Sequence, residues 1–582
     1  MFDLLVRNGT VVDGTGAAAY VADVAVKDGL IAQIAPRIVG EAREEIDASG
    51  RIVTPGFVDV HTHYDGQVTW DSELNPSAAH GVTTIVTGNC GVGFAPVRPG
   101  REDHLVRLME GVEDIPGTAL YEGMTWGWES FPEYMDSLRG RSWSMDVGVQ
   151  LPHGPLRTYV MGDERSGGNE QAGPDDIARM AELAEEAMRA GAFGFTTSRT
   201  LGHLSSDGVP VPGTFAEDDE LLAIARAVKE GGGRVFEVAM AGIVAHDDDA
   251  VTRRELDWIG RMALETGLTA SFIVLQHNQD PLRWRREMDT AAEWRSKGAD
   301  IVPLVAGRPF GVLLGLEMRN PFRLRPSYEE ISHLPVRERI VAMRDPERRA
   351  RILAEQPVSD DEAQVLSQKG IELALARCYV LESTTEPDYE QDPENSIGAV
   401  AGRLGVSTVE FAYDALTSSD EPTVLLLPLF NYADGNHDAL YEQMMDDAAI
   451  LGLADGGAHC GAICDASIPT YVLTHWVKGR TRGPRLGLED GVRRLTSQPA
   501  DVYGMSDRGR LLPGKRADIN VIDLESLRLL APHAVYDLPA GGMRLLQDAV
   551  GYDATVVAGV VTRRHGRDTG ERPGRLVLHS RP

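Results

Sequence analysis

Cysteine, basic charge and long apolar runs are all scarce in this chain of 582 residues. Four cysteines in this length exclude a disulfide scaffold and favour a reducing compartment. No apolar run approaches the ~20 residues that a membrane-spanning helix needs. The opening residues, Met1–Gly9, have neither the basic region nor the apolar core of a secretory signal. Together these absences predict a cytoplasmic protein without a membrane anchor.

The charge balance is acidic, with 57 Lys and Arg residues against 88 Asp and Glu residues and a formal net charge of −31 at pH 7. Nucleic acids and anionic membranes are bound by basic surfaces, so the balance argues against both as partners. Hydrophobic residues make up 42% of the chain and charged residues 25%, which is typical of a globular protein with a sizeable core. A small molecule is the expected partner, and a homo-oligomer is compatible with this composition.

Short β-strand patterns occur at both ends of the chain. Residues 3–9 alternate in polarity and end at Asn-Gly, a strong hairpin signal, and residues 554–562 show a similar pattern. We predict a small β-sandwich domain built from both termini, its N-terminal part being residues 1–55 and its C-terminal part and polar tail residues 506–582.

The middle of the chain, residues 56–505, alternates strand-like and helical stretches, as parallel β/α units do. A clear amphipathic helix covers Asp175–Met188. Residues from about 310 to 430 form a charged, helical insertion, which we expect over the mouth of the barrel. The fold class is therefore α/β, a (β/α)8 TIM-like barrel with the small β-sandwich attached. The eight predicted strands are 57–63, 82–88, 145–151, 192–198, 234–240, 268–275, 301–306 and 449–455.

Two histidines, His61 and His63, close the first predicted strand in the run Thr54-Pro-Gly-Phe-Val-Asp-Val-His-Thr-His-Tyr-Asp65. Side chains at i and i+2 of a strand point the same way, so both imidazoles can reach one ion. Histidine is the commonest metal ligand near neutral pH. The alternative is a chance His-x-His on a solvated edge.

Three more strands carry candidate ligands at or near their ends, where the catalytic residues of β/α barrels lie. Cys90 is at the glycine-flanked tip of the second strand, Glu237 is inside the apolar run of the fifth, and Asp455 ends the eighth. Each has a structural alternative. Cys90 could be a small buried hydrophobe, Glu237 a carboxylate paired with an arginine, and Asp455 a turn residue or helix N-cap.

At this point the chain resembles the amidohydrolase superfamily and, within it, the N-acyl-D-amino-acid deacylase (D-aminoacylase) family. The resemblance covers most of the length and implies a barrel with a β-sandwich, and a zinc hydrolase that cleaves the amide of N-acyl-D-amino acids. His61, His63, Cys90 and Asp455 match metal-site and catalytic positions of that family. The motifs that carry the resemblance are Leu5–Gly16, Pro55–Asp65, Gly81–Gly91, His153–Arg157, Leu495–Ala500 and Asp507–Asp518.

The chain also departs from the family at three places. Ala239 stands where the family has a histidine at the end of strand five, and Phe272 stands where a Ser-His pair is expected on strand six. Val274 replaces the lysine that helps to hold the substrate carboxylate. His277 is the only histidine just beyond strand six, and strand four has no lysine for a carbamylated bridge. These departures favour one metal ion over two.

The predicted site therefore uses His61, His63 and Asp455, completed by Glu237 or Cys90. The expected cofactor is one divalent ion, Zn²⁺ first, with Mn²⁺ or Fe²⁺ as alternatives because carboxylates are harder ligands than thiolates. The ion would activate water for attack on an amide carbonyl, with Asp455 as general base and then acid.

Five residues near strand ends are candidates for binding the substrate. Arg199 and Arg308 could each bind both oxygens of a substrate carboxylate, with a structural ion pair as the alternative. Tyr64 and His153 are further pocket candidates, as is His203, and a supporting role is the alternative for both histidines.

The sequence thus predicts a metal-dependent amidohydrolase that cleaves a non-peptide C–N bond, most like an N-acyl-D-amino-acid deacylase. A cyclic amide hydrolase or a deaminase of the same superfamily is the nearest alternative. A barrel that has lost its metal and serves as a binding or scaffold protein is the alternative from another class.

Overall fold

The structure is a computed structural model that describes residues 1–243, 249–381 and 386–579. Eight successive strand positions run parallel to one another through the middle of the chain. They are Phe57–Asp59, Val82–Thr87, Asp146–Val149 continued by Leu151–Pro152, Gly194–Ser198, Val235–Ala239, Thr269–Ile273, Ile301–Val305 and Ile450–Leu451. Every predicted strand is therefore present, and all but the third lie within their predicted bounds.

The third strand joins two parallel sheets, because it is interrupted at Gln150. Asp146–Val149 pairs with Val82–Thr87, and Leu151–Pro152 pairs with Gly194–Ser198. The first and last strand positions also meet, since the backbone N–H of His63 donates to Gly456 O at 2.8 Å.

Amphipathic helices cover this parallel core. The predicted helix spans Pro174–Arg189, and the Asp176 carboxylate accepts from the backbone N–H of Gly173 at its N-terminus. Its apolar face, which includes Met180 and Ala184, is buried. The other helices around the strands are Glu102–Glu113, Gly117–Gly123, Phe131–Arg139, His153–Met161, Asp163–Gly167, Asp218–Gly231, Asp249–Thr266, Arg283–Ser296, Asp438–Met445, Ile468–Tyr471 with its π-helical continuation Val472–Gly479, Leu488–Leu495 and Ser497–Val502.

Strands from both ends of the chain form one nine-stranded sheet. Ile52–Pro55 pairs antiparallel with Ile519–Ile522, which places Val53 opposite Val521 and joins the two ends. Apolar residues of both ends share one buried cluster. The sheet strands are Phe2–Val11, Tyr20–Lys27, Leu30–Ala35, Ala42–Asp47, Ile52–Pro55, Ile519–Ile522, Tyr552–Val557, Val560–Arg564 and Arg567–Asp568.

The polar tail does not stay with this sheet. Val577 N donates to Val147 O, and Arg575 N donates to the carboxylate of Asp146, both on the third parallel strand. The prediction that the tail belongs with the terminal β-sandwich is therefore incomplete, because backbone groups at the edge of the parallel strands take it as a partner.

The insertion has a small sheet and a core of its own. Gly311–Leu314 and Tyr379–Leu381 both pair antiparallel with Val424–Pro428. Its buried cluster includes Phe322 and Tyr413. The helices are Pro326–Glu329, Val336–Met343, Pro346–Ala354, Glu362–Ala374, Ile397–Leu404 and Thr408–Leu416. In the part of the chain that the structure describes, no helix is both long and apolar enough to cross a membrane.

Candidate metal centre

His61 and His63 lie just beyond the first parallel strand rather than in it, since that strand ends at Asp59. The backbone N–H of Thr62 still donates to Val86 O, but that of His63 turns to Gly456 O, so the ladder with the second strand is not continued. Both imidazoles are 1% exposed, and their ring centroids are 5.2 Å apart. The two histidines therefore reach one cavity, although the predicted strand bounds were too long.

Cys90 completes a compact group of ligand atoms. Its Sγ lies 3.5 Å from Nε2 of His61, and one ligand atom each from His61, His63 and Cys90 lie within 4.8 Å of one another. The loop reaches this position in a left-handed conformation, with φ of +52° at Cys90 and +70° at Gly91. A Cβ on Gly91 would lie 2.8 Å from the backbone nitrogen of Ser198, so only glycine fits there. Burial raises the pKa of the Cys90 thiol to about 12, against the opposing effect of His61.

Asp455 approaches the same group from the end of the last parallel strand. Its Oδ1 lies 3.6 Å from His61 Nε2, the ring nitrogen that also faces Cys90. The residue has φ of +47° and is followed by two glycines that pack against the histidine segment. Burial raises the pKa of Asp455 to about 7, with the His61 charge opposing that rise. A buried carboxylate with such a pKa is suited to exchanging a proton near neutral pH.

Glu237 contacts the opposite nitrogen of the same ring. From the middle of the fifth parallel strand, its Oε1 lies 2.9 Å from His61 Nδ1, and its Oε2 accepts from the hydroxyl of Tyr503 at 3.3 Å. A carboxylate behind a ligating imidazole fixes the ring's orientation and raises its basicity. The geometry therefore favours a supporting role for Glu237 over the predicted role of ligand.

Glu113 is a site residue that the sequence analysis did not single out. It is the last residue of the helix Glu102–Glu113, and its side chain is 2% exposed. Its Oε1 lies 3.3 Å from Nδ1 of His63, and its Oε2 lies 3.9 Å from Nε2 of His459. Burial raises the pKa of Glu113 well above its usual value, and the Asp455 charge adds to the rise.

The buried polar atoms around this centre are only partly satisfied by one another. Nδ1 of His61 faces Oε1 of Glu237 and Nδ1 of His63 faces Oε1 of Glu113, at short distances but without the angles of a good hydrogen bond, and Oδ1 of Asp455 has no hydrogen-bond partner among the described residues. Leaving a buried polar atom unsatisfied costs about 1–3 kcal/mol, so such a concentration marks a site that another group completes. Imidazole, thiol and carboxylate donors together suit a divalent cation, Zn²⁺ above all. The residues present therefore fit a metal ion.

A cavity of about 220 Å³ opens onto the centre. Its polar wall is formed by His61, His63, Cys90, Glu113, His203, Asp455 and His459. Burial lowers the pKa of His203 to about 3 and that of His459 to about 4, so neither is charged at neutral pH. The rest of the wall is apolar, and both ends of the insertion contribute to it through Phe310 and Phe430.

The two arginines predicted to bind a substrate carboxylate form ion pairs outside the cavity. Arg199 donates to both carboxylate oxygens of Glu255, at 2.8 and 3.1 Å. Arg308 is 2% exposed, donates to Asp465 at 2.8 Å and lies over the ring of Tyr389. Neither lines the cavity. Their contacts favour the structural alternative for both.

Tyr64 and His153 also lie outside the cavity wall. The Tyr64 hydroxyl bonds to Ser77 Oγ at 2.9 Å. His153 is fully buried between Thr197 Oγ1 and Glu220 Oε1, each 2.9 Å away. The contacts of both side chains favour supporting roles over substrate binding.

The residues that depart from the family on strands five and six are buried and apolar but do not line the cavity. Ala239, Phe272 and Val274 are all buried, and Ile273 and Leu275 line the cavity. His277 lies against Phe430, with ring centroids 5.3 Å apart, and is not part of the cavity wall. Glu113 is instead the additional acid that this structure brings to the histidine pair.

Comparison with known proteins identifies the family. Residues 44–563 match the family model described as "Amidohydrolase family". The chain belongs to the amidohydrolase family. It is accordingly a hydrolase that acts on carbon–nitrogen bonds other than peptide bonds, as predicted.

Relatives of the D-aminoacylase type confirm the resemblance on which that prediction was based. An N-acyl-D-glutamate deacylase of Alcaligenes xylosoxydans xylosoxydans is 25% identical over 538 residues, 92% of this chain and 90% of the relative. Among solved structures, a D-aminoacylase with a binuclear metal center has a TM-score of 0.65 at 22% identity, covering 99% of this chain and 100% of that one. An N-acyl-D-glutamate deacylase from Bordetella bronchiseptica, complexed with zinc and a phosphonate inhibitor, has a TM-score of 0.63 at 23% identity, covering 99% of each chain. At these identities the structural likeness establishes the amidohydrolase fold, a barrel with an additional domain.

Proposed function

We propose that this amidohydrolase cleaves the acyl–nitrogen bond of a small amide in the way that N-acyl-D-amino-acid deacylases do. The proposed cofactor is one divalent ion, Zn²⁺ in the first place. The observation that carries the proposal is the convergence of His61, His63, Cys90 and Asp455 on one buried cavity, with their ligand atoms a few ångströms apart.

Each side chain of the centre has a distinct part. Nε2 of His61 faces both Cys90 and Asp455, so these three and His63 would hold the ion. Glu113 is placed to add a carboxylate ligand or to orient His63. A divalent ion held there supplies Lewis-acid activation of water and of the amide carbonyl.

Asp455 supplies the proton transfers. Its carboxylate accepts a proton from the attacking water as the water oxygen bonds to the carbonyl carbon. The same proton then passes to the amide nitrogen as the carbon–nitrogen bond breaks, giving a carboxylic acid and an amine. The apolar cavity excludes bulk water, which strengthens these charge interactions.

The test uses protein reconstituted with Zn²⁺ and a panel of linear N-acyl amines and cyclic amides, with release of amine or ring opening as the readout. We expect turnover of at least one linear amide and a fall in kcat of about 10³-fold in Asp455→Asn. Asparagine tolerates the left-handed backbone at this position, so the variant is expected to fold. Asp447→Asn, at an exposed position eight residues earlier, is the matched control. Near-full activity in Asp455→Asn would refute the role of Asp455, and ring opening alone would favour a cyclic amide hydrolase.

A further inference from the structure

The part of the cavity wall that the structure describes has no lysine or arginine to receive an anionic substrate. Apolar side chains dominate it, among them Ile273, Leu275, Phe310, Phe430 and Leu453. None of the described residues that line it is Lys or Arg. The two internal segments outside the described residues, 244–248 and 382–385, contain no Lys or Arg in the sequence.

Arginines near the centre already form ion pairs with carboxylates of the chain. Arg199 pairs with Glu255, and Arg308 pairs with Asp465. Arg319, on the side of His459, is half exposed, and its guanidinium lies 3.8 Å from the carboxylate of Asp114. A substrate carboxylate that paired with any of these three arginines would have to displace the carboxylate that the arginine already contacts.

The metal centre does not supply a spare positive charge either. The two charges of a divalent ion held there would be matched by the carboxylates of Asp455 and Glu113, which the ion would keep ionised, and Glu237 would add a third carboxylate behind His61. A substrate anion would therefore enter an apolar cavity against a net negative centre. Burying an uncompensated charge is costly, and nearby like charges increase that cost.

We infer that the substrate is an amide with a compact apolar group, and that the part entering the cavity carries no carboxylate. This inference rests on the proposed amide hydrolysis and narrows its substrate class. The cavity volume of about 220 Å³ is below the ~300–1,000 Å³ of pockets for drug-sized ligands, so the group held there is small. The apolar wall binds it by excluding water, and the metal centre binds the amide itself.

Binding of three matched hydroxamic acids tests the inference without requiring turnover. Phenylacetohydroxamic acid is neutral away from its metal-binding group, and its ring-carboxylated and ring-aminomethylated analogues add one negative and one positive charge. Isothermal titration of each into the Zn²⁺-loaded protein gives three dissociation constants. We expect the neutral compound to bind at least ~100-fold more tightly than the carboxylated one, since the added charge has no partner. Equal or tighter binding of the carboxylated compound, or binding of none of the three, would overturn the inference, and the aminomethylated compound controls for added size and polarity.

Hydrolysis of a matched amide pair separates this inference from the proposed function. N-Isobutylacetamide is N-acetyl-D-valine without its carboxylate, so the ratio of their kcat/KM values isolates the effect of that group. A ratio of at least ~100 in favour of N-isobutylacetamide is expected, and a ratio below one would overturn the inference. Hydroxamates that bind in the expected order, with no amide cleaved, would instead refute the proposed hydrolysis alone.

A charge introduced into the wall provides the converse test. Leu275 is 5% exposed and lines the cavity, so Leu275→Lys places an ammonium beside the bound group. We expect the affinity for the carboxylated hydroxamate relative to the neutral one to rise at least ~10-fold in this variant. Leu275→Met, which has similar volume and no charge, is the control and should leave that ratio unchanged. A folded, metal-loaded Leu275→Lys protein with the wild-type ratio would contradict the assignment of this wall to the substrate.

Discussion

Nδ1 of His61 lies 2.9 Å from Oε1 of Glu237, and both side chains are 1% exposed. The other nitrogen of that imidazole faces Cys90 and Asp455. A carboxylate on one side and ligand atoms on the other is the arrangement that makes an imidazole a well-oriented metal ligand. Glu237 reaches this position because it lies on the strand Val235–Ala239, whose middle faces the centre.

Glu237→Gln is expected to weaken metal affinity by about 10–100-fold, because the amide is a weaker acceptor for the imidazole N–H. The dissociation constant for Zn²⁺, measured by competition with a chelator, is the readout. Glu230→Gln, at an exposed position, is the control. An unchanged Zn²⁺ dissociation constant in Glu237→Gln would return this carboxylate to a purely structural role.

A second buried acid, Glu113, stands beside His63 in a comparable way, with Oε1 3.3 Å from Nδ1. Because burial raises its pKa in the metal-free protein, ionising it costs stability once the pH exceeds the unfolded value of ~4.3. The free energy of unfolding of the metal-free protein therefore falls progressively as the pH rises from that value toward the folded pKa of Glu113. The buried Glu113 side chain thus destabilises the metal-free protein, and it would stabilise a metal ion bound at the centre.

Glu113→Gln is therefore expected to raise the melting temperature of metal-free protein at pH 8. At pH 4 it should leave the melting temperature nearly unchanged, because the Glu113 carboxyl group is then largely neutral in both the folded and the unfolded protein. The same variant should bind Zn²⁺ more weakly, by about tenfold or more. Scanning calorimetry at both pH values and chelator competition measure the two effects. Glu122→Gln, an exposed position on the following helix Gly117–Gly123, is the control. A metal-free Glu113→Gln protein that is less stable than wild type at pH 8 would show that Glu113 serves packing rather than the metal.

Away from the centre, Glu220 is buried between His153 and Arg157, and its Oε1 accepts from Arg157 Nε at 2.8 Å. Burial alone would raise its pKa, but bonds to His153 and Arg157 outweigh burial and lower the pKa to about 2. A carboxyl group with a lowered folded pKa stabilises the protein above the unfolded value of ~4.3, and that contribution is lost as the pH falls toward 2.

We expect Glu220→Gln to be less stable than wild type by about 3 kcal/mol at pH 7, and the difference to shrink between pH 4.5 and pH 2. Denaturant unfolding of both proteins across this range measures the difference. Glu182→Gln, whose ion pair with Arg179 is exposed, should change stability by less than ~1 kcal/mol. A Glu220→Gln deficit that stays constant with pH would mean that lost packing, not the ionised carboxylate, explains it.

Local patterns in the sequence were enough to predict the strands and four residues that meet at one cavity. Hydrophobic runs bounded by turns marked all eight parallel strands, and His61, His63, Cys90 and Asp455 stood out because each follows such a run. The bounds were less predictable: the first strand ends at Asp59 because His63 bonds to Gly456, a partner almost 400 residues away.

The remaining parts of the site depend on contacts that no local pattern encodes. Glu113 lies one helical turn after Met109 and two turns after Val106, on the buried face of its helix. The only signal in the sequence was therefore a carboxylate at a helix position that is otherwise apolar. Its meeting with His63 depends on how that helix packs. The engagement of Arg199 and Arg308 by distant carboxylates is equally non-local.

Metal content per chain is the most direct test of whether His61 and His63 hold a catalytic metal ion. Elemental analysis would be made on protein purified without added metal, on His61→Ala/His63→Ala, and on the control His533→Ala/His565→Ala, whose histidines are exposed. We expect about one equivalent of divalent metal in wild type and control, and its loss in the His61/His63 variant. Well-folded wild-type protein that holds no metal even after reconstitution would contradict this expectation.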